Sequence, residues 1–171
     1  MILQTLFTSQ RLNITKLNIY MAEIIAMISL DAQNREFMPD EVFETESQAR
    51  ETIEYLSSRY DTETGPFVYA VMLNDELIGH VEAVQISLGW EVGYHIAEAH
   101  TGHGYATEAL SAFLLFIQNK LKTDILYGIC RADNFASRRV LEKCGFKLDF
   151  DGEALYHGKM CLIRRYISRL S

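Results

Sequence analysis

The stretch EVGYHIAEAHTGHGYATEAL, Glu91 to Leu110, limits what this chain can fold into more than any other. Apolar residues alternate at Trp90, Val92, Tyr94 and Ile96, the period-2 pattern of a strand with one buried face. Beyond a hinge containing Gly102 and Gly104 the spacing changes to Leu110, Phe113, Leu114, Ile117 and Leu121, the stripe of an amphipathic helix. The glycines therefore sit at a strand-to-helix turn. The first amides of such a helix have no internal partner, and the helix dipole adds about half a positive charge there. That is a site for an anion, most naturally a phosphate.

At 171 residues the chain has the length of one domain, 1–171, with a sizeable core. Its net charge of -7 and the lack of a Lys/Arg cluster argue against DNA or other nucleic-acid binding, and would favour a cationic amine. The most apolar early segment, Leu17 to Leu30, contains Glu23 and is shorter than the roughly 20 residues of a membrane span. MILQTLFTSQ has neither the charge nor the length of a secretory signal. Cys130, Cys144 and Cys161 lack close pairing for zinc and read as free, mostly buried thiols of a cytoplasmic protein. His80, His100, His103 and His157 form no metal-ligand spacing on one element, so no metal is expected. The sequence leaves the oligomeric state open, a homodimer included.

Along the chain, Arg11 to Leu17 reads as a first strand and Asn18 to Leu30 as a helix. Asp31 to Glu46 is a polar, acidic loop carrying Pro39. Thr45 with Gln48 makes a capping box for a helix whose face is Ala49, Ile53, Leu56 and Tyr60, ending before Gly65 and Pro66. Phe67 to Leu73, Leu77 to Ile86 and Trp90 to Ile96 are strands whose short connections make them antiparallel neighbours. Ile125 to Cys130 is a buried strand, parallel to the last of these through the intervening helix. Asp133 or Asn134 caps a further helix with Ala136, Val140, Leu141 and Cys144 on one side and Gly145 as its stop. Phe146 to Asp151 and Lys159 to Ile167, joined through Gly152 or Gly158, close the domain. The expected class is α/β: a mixed, twisted sheet flanked by helices.

Two features narrow the glycine turn. No lysine follows the second glycine, which excludes a P-loop, and Thr107 breaks the G-x-G-x-x-G dinucleotide spacing. The run GYHIAEAHTGHGYATEAL, with RADNFASRRVLEKCGF at Arg131 to Phe146, resembles the acetyl-CoA-binding core of the GNAT superfamily of N-acetyltransferases. It is similar in particular to the branch that includes the RimJ and RimL ribosomal-protein acetyltransferases. The opening SQRLNITKLN resembles that branch's first strand, so the likeness spans most of the chain.

The resemblance implies an acyl-CoA N-acyltransferase fold with acetyl-CoA as the donor. In the family's pyrophosphate loop Gly104 and Ala106 match, while Thr101 stands where Gln or Arg is usual. The amides of Thr101, Gly102, His103, Gly104, Tyr105, Ala106 and Thr107 would cradle the pyrophosphate. Freed backbone groups of Ile96 and Ala97 would pair with the pantetheine arm, and an N–H near Ala97 would stabilise the oxyanion. Asn134 matches an Asn near the reacting centre, and Ser137 a Ser that protonates the leaving thiolate. Many relatives use a Tyr at the position of Leu141, which cannot donate a proton, so the acid falls to Ser137 or a bound water. Helix capping by Asn134 and plain exposure of Ser137 account for the same residues without chemistry.

A protonated acceptor amine must first lose a proton. Candidate bases are Glu91, Glu82 and His95; Glu91 leads because an acidic residue before Val-Gly-Tyr recurs in the branch. In a regular strand Glu91 and His95 share a face roughly 13 Å apart, so one site would not use both directly. The acidic stretch Asp40, Glu41, Glu44 and Glu46 is either a solvated loop or the entrance for a cationic substrate. The implied reaction is direct transfer to a primary amine, first a protein N-terminus and alternatively a polyamine or aminoglycoside. A non-catalytic acyl-CoA sensor on the same fold is the other reading.

Overall fold

The computed structural model describes residues 5–169; the part of the leader expectation that falls on residues 1–4 lies outside them. Eight strands form one sheet in the order β1-β2-β3-β4-β5-β6-β8-β7. They are β1 (Thr5–Thr8), β2 (Leu12–Lys16), β3 (Phe67–Leu73), β4 (Glu76–Ile86), β5 (Gly89–Ile96), β6 (Ile125–Arg131), β7 (Lys147–Tyr156) and β8 (Lys159–Arg169). The helices are α1 (Ala22–Ser29), α2 (Ala32–Phe37), α3 (Glu46–Ser57), α4 (Tyr105–Leu121) and α5 (Phe135–Lys143). Every pairing is antiparallel except β5 with β6.

The run FVYAVML explains the layering. Phe67, Tyr69 and Val71 pack into a core with Phe113 and Ile117 of α4 and Leu141 of α5. Val68, Ala70 and Met72 pack on the other side with Ala22 and Ala26 of α1 and Ala49 and Ile53 of α3. A strand buried on both faces reads as a continuous apolar run rather than an alternation. The central strand thus fixes two helical layers.

Local signals set several boundaries. The Thr45 hydroxyl accepts from the Gln48 N–H while the Gln48 side chain accepts from the Thr45 N–H, both at 3.3 Å, so the expected capping box starts α3. Asn134 caps α5 by accepting from the Ser137 N–H at 3.0 Å. The β7–β8 connection is His157-Gly158, and Gly152 lies within β7.

Other expectations are corrected. A further strand, β1, precedes the one expected at Arg11 to Leu17; TLFT is too short to show a period. The helix expected over residues 18–30 opens with a 3-10 turn, Ile19–Met21, before α1. The presumed loop from Asp31 to Glu46 holds α2 and a 3-10 turn at Pro39–Glu41. α2 buries a polar residue: the Asn34 amide donates to the carbonyls of Ser29 (2.9 Å) and Glu41 (3.2 Å), so no apolar stripe announces it. β7 runs on to Tyr156, well beyond the expected Asp151, while β8 ends at Arg169, close to the expected limit; Ala136 is exposed rather than inward, and Cys144 and Cys161 are only half-buried. Among the described residues no helix is long and apolar enough to cross a membrane.

Tyr60 lies beyond the end of α3 rather than on its face, and it ties the layers together. Its buried hydroxyl accepts from the Leu17 N–H at 2.9 Å and donates to the Val68 carbonyl at 2.5 Å. Tyr60→Phe leaves both backbone groups without that partner and should destabilise the protein by roughly 1–3 kcal/mol, read as a lower midpoint in urea at unchanged slope.

Candidate active site

The site forms where the sheet parts. β5 and β6 are in register only at Trp90–Leu126 and Glu91–Tyr127. Beyond that point a cavity of about 740 Å³ opens, lined by β5, β6, the turn before α4 and one side of α5. The peptide of Ile129 on β6 loses the strand partner it would otherwise have. Side chains replace it: the Glu91 carboxylate accepts from the Ile129 N–H, and the Tyr156 hydroxyl donates to the Ile129 carbonyl at 3.2 Å.

The Ala97 N–H donates to the Ile78 carbonyl of β4 at 2.8 Å. Backbone groups alternate in direction along a strand, so those of Val92, Tyr94 and Ile96 point toward the opening. Ile96 is thus free to pair with a ligand, whereas the expected Ala97 N–H is already engaged.

At one end of the opening Gly102 and Gly104 take φ values of +80° and +81°, the left-handed region that glycine enters without penalty. Gly104 sits at the N-cap of α4 and offers no side chain to the first amides of that helix. Thr101, Gly102, Gly104, Tyr105, Ala106 and Thr107 line the cavity; His103 and Ala97 do not. His103 instead turns its Nδ1 toward the Thr101 carbonyl at 2.9 Å. The turn is held from behind. Ser9 Oγ (2.6 Å), the Arg11 N–H (2.7 Å) and Arg11 Nε (2.7 Å) all donate to Glu108, and Arg11 Nη2 reaches the His103 carbonyl at 3.1 Å. Partial burial works against the Glu108 charge, but these donors outweigh it and hold its carboxyl below the usual range.

Arg139 and Lys143 on α5 also line the cavity, with Ala136 and Val140. They are functional candidates that the sequence reading missed. The i, i+3, i+4, i+7 relation among these four marks one helix face, and that was the signal available.

Ser137 is not simply exposed. The Tyr94 hydroxyl lies 2.9 Å from both its Oγ and its carbonyl oxygen, a geometry in which Tyr94 donates to the carbonyl and Ser137 donates to Tyr94. Tyr94, read from the sequence only as an inward strand residue, adds a phenol to the site, and burial pushes its pKa above the ordinary value. Leu141 is buried in the core, where a Cβ on Gly128 would come within 2.3 Å of its Cδ2.

On the sheet face toward α1 and α3, β4 and β5 present a ladder: His80 opposite His95, Glu82 opposite Gly93, and Val84 opposite Glu91. Gly93 leaves room for that carboxylate: a Cβ there would lie 2.4 Å from Glu82 Oε1 and would displace the Glu82 side chain. From the Pro39–Glu41 turn, Glu41 reaches His80 Nε2 at 3.2 Å and hydrogen-bonds Glu82. Of the acidic stretch only Glu41 faces this ladder; Asp40 pairs with His157 at 2.7 Å, Glu44 with Arg35 and Glu46 with Arg50. Glu41, His80 and Glu82 offer ligand atoms within 4.8 Å of one another, a set spread over two elements and so invisible to spacing on one.

Burial dominates the titration. It raises Glu91 to about 7, with the Ile129 N–H pulling the other way. Glu82 is raised to about 8 by burial and by the neighbouring Glu41 charge. Burial and the nearby His80 lower His95 to about 4. His80 is moved down by burial, but the bond and charge of Glu41 outweigh this and leave it raised. Near neutral pH the ladder holds one half-ionised acid at Glu91, a mostly protonated Glu82 and a neutral His95. Burial also raises the Cys130 thiol to about 11, so it is no thiolate nucleophile at neutral pH.

The chain is thus an α/β protein whose mixed sheet parts beside a helix N-terminus without a side-chain cap, with the Glu82 and Glu91 carboxyls along the gap. The chain belongs to the GNAT acetyltransferases: the family described as Acetyltransferase (GNAT) domain matches residues 11–147. The probable N-acetyltransferase YjcK of Bacillus subtilis (strain 168) is 30% identical over 130 residues, 70% of this chain and 72% of that protein. Among solved structures, RimL, a ribosomal alpha-N-protein acetyltransferase in complex with coenzyme A, superposes with a TM-score of 0.84 at 18% identity over 98% of both chains. The microcin self-immunity acetyltransferase MccE, in complex with acetyl-CoA and AMP, gives 0.80 at 16% identity, covering 94% of this chain and 93% of that one. At such identities the two structures establish the fold alone.

The buried acids carry a stability signature. Glu82 is raised above its unfolded value, so its contribution is full below the unfolded pKa and is lost as pH rises through about 8. Glu82→Gln removes that titration, and melting curves should show a smaller loss of Tm between pH 6 and 9 than in the native protein.

Proposed function

We propose that the chain transfers acetyl from acetyl-CoA directly to a primary amine, in the first place the α-amino group of a protein or peptide N-terminus. The observation that carries this reading is the end of β5–β6 pairing at Glu91, inside a cavity with an anion-binding helix N-terminus at one end and buried acids along its wall. The amides from Thr101 to Thr107 would hold the pyrophosphate. Arg139 and Lys143 would supply the positive charge that Thr101 lacks relative to the family pattern. The pantetheine arm would lie along Tyr94 and Ile96, whose backbone groups face the gap.

The amine nitrogen attacks the thioester carbonyl carbon after Glu91 has taken a proton from the ammonium. The developing oxyanion would be met by an N–H of β5 that faces the gap, since that of Ala97 is engaged with Ile78. The C–S bond then breaks and the thiolate takes the Ser137 hydroxyl proton; the attacking nitrogen, positively charged once bonded to carbon, gives up its second proton, which returns the hydrogen-bonded Ser137–Tyr94 pair to its starting state. Asn134 acts through Ser137, by fixing the first turn of α5 on which it sits.

Proton matching favours an α-amino group. With Glu91 near 7, taking a proton from an α-amino group of pKa about 7.7–8.0 is uphill by roughly 1 kcal/mol, and from a lysine near 10.4 by roughly 4–5 kcal/mol.

The test is a thiol-release assay with acetyl-CoA across peptide N-termini, polyamines and aminoglycosides. Peptide turnover above the others supports the reading. Silence across the panel, with CoA still raising Tm, would make the chain a CoA-binding module. For an active protein, kcat/KM should rise through about pH 7, and Glu91→Gln should lower kcat by roughly 10²–10⁴-fold. Ser137→Ala should slow the reaction without abolishing it, because a thiol of pKa about 8.5 is a tolerable leaving group, and Ser137→Ala with Tyr94→Phe should slow it further.

A further inference from the structure

A second cavity, of about 290 Å³, lies between α1, α3 and the sheet face opposite α4. Leu17, Ile25, Ile28, Phe43, Ile53 and Leu77 contribute its apolar wall. At one end it shares Asn34, Glu41, Glu82, Val84 and His95 with the cavity of the parted strands. The two spaces therefore meet at the ladder of acids and histidines.

Ser29 and Asn34, the polar groups between α1 and α3, are already engaged, while His95 Nε2 at the junction has no hydrogen-bond partner among the described residues. Ser29 Oγ donates to the Ala26 carbonyl at 2.7 Å and accepts from the Phe43 N–H at 2.9 Å. Asn34 spends its amide on the carbonyls of Ser29 and Glu41. A buried water needs about 2–4 polar partners, and an engineered apolar cavity of about 150 Å³ takes up benzene. At about 290 Å³ the space suits a leucine, methionine or phenylalanine side chain better than ordered water.

Building on the acetyl-transfer reading above, we propose that this cavity is the side-chain pocket of the acceptor, an amine whose attached carbon chain carries a large apolar group. The ammonium meets Glu82 at the junction, with Glu91 next along the wall of the larger cavity, and the apolar group enters between α1 and α3. A peptide N-terminus beginning with Leu, Met or Phe has this chemistry, and so does a free arylalkylamine. Serine- or alanine-first peptides leave the pocket unfilled.

Calorimetric binding to the CoA-loaded protein tests this without requiring turnover. Tripeptides beginning with Leu or Phe should bind on the order of ten- to a hundredfold tighter than those beginning with Ala or Ser. Phenethylamine as a separate arm distinguishes a free amine from a peptide terminus. Ile28→Trp fills the pocket from a half-buried position and should reduce the Leu-over-Ala ratio at least fivefold; Leu56→Trp, another half-buried wall position, is the second variant should the first fail to fold. Equal affinity for Ala- and Leu-first peptides, or an unchanged ratio in a folded variant, overturns the pocket. Selective binding without acetyl transfer to any amine would instead overturn the catalytic reading and leave the pocket standing.

Discussion

The two hydrogen bonds to the Ile129 peptide are the constraint on which the site depends. Two neighbouring strands that part in the middle of a sheet leave backbone donors and acceptors with nothing to bind, at about 1–3 kcal/mol for each buried group left alone. Glu91 satisfies the donor and Tyr156 the acceptor. Ile129 is then satisfied without a partner strand. The wall facing it, from Val92 to Ile96, keeps its unpaired groups available.

Glu91 thereby serves two ends whose requirements conflict in part. As an acceptor for the Ile129 N–H it is best ionised; as a buried acid it is best neutral, and burial lifts it to about 7. The same tension runs along the ladder, where Glu41 lies against both Glu82 and His80 and raises the pKa of each. Such a group of acids favours a cation in its place, and an incoming ammonium is the cation that the proposed reaction requires. His95, held neutral by burial, adds polarity without opposing that charge.

Much of this was legible locally. β3, β4, β5, α4 and the α3 capping box all follow from period and cap within a dozen residues, and the glycine turn announced its bare amides through Gly102 and Gly104. β1 and α2 escaped because four residues show no period and α2 turns Asn34 inward for hydrogen bonding. Site residues were hidden where their meaning is tertiary. Tyr94 was assigned to the correct face, yet its partner Ser137 lies 43 residues away. Glu41 stood in an acidic stretch whose other members pair elsewhere, and only folding brings it against His80 and Glu82. Ala97 was misread because its N–H faces β4, a matter of strand parity set by the register.

The gap between β5 and β6 is bridged by side chains and not by peptide bonds facing one another. Glu91 alone crosses from β5 to β6, while Tyr156 reaches the same Ile129 from β7. On either flank the ladders continue unbroken, β4 with β5 and β6 with β8. The opening is thus shaped by one side chain reaching across it, while the backbone on both flanks stays paired.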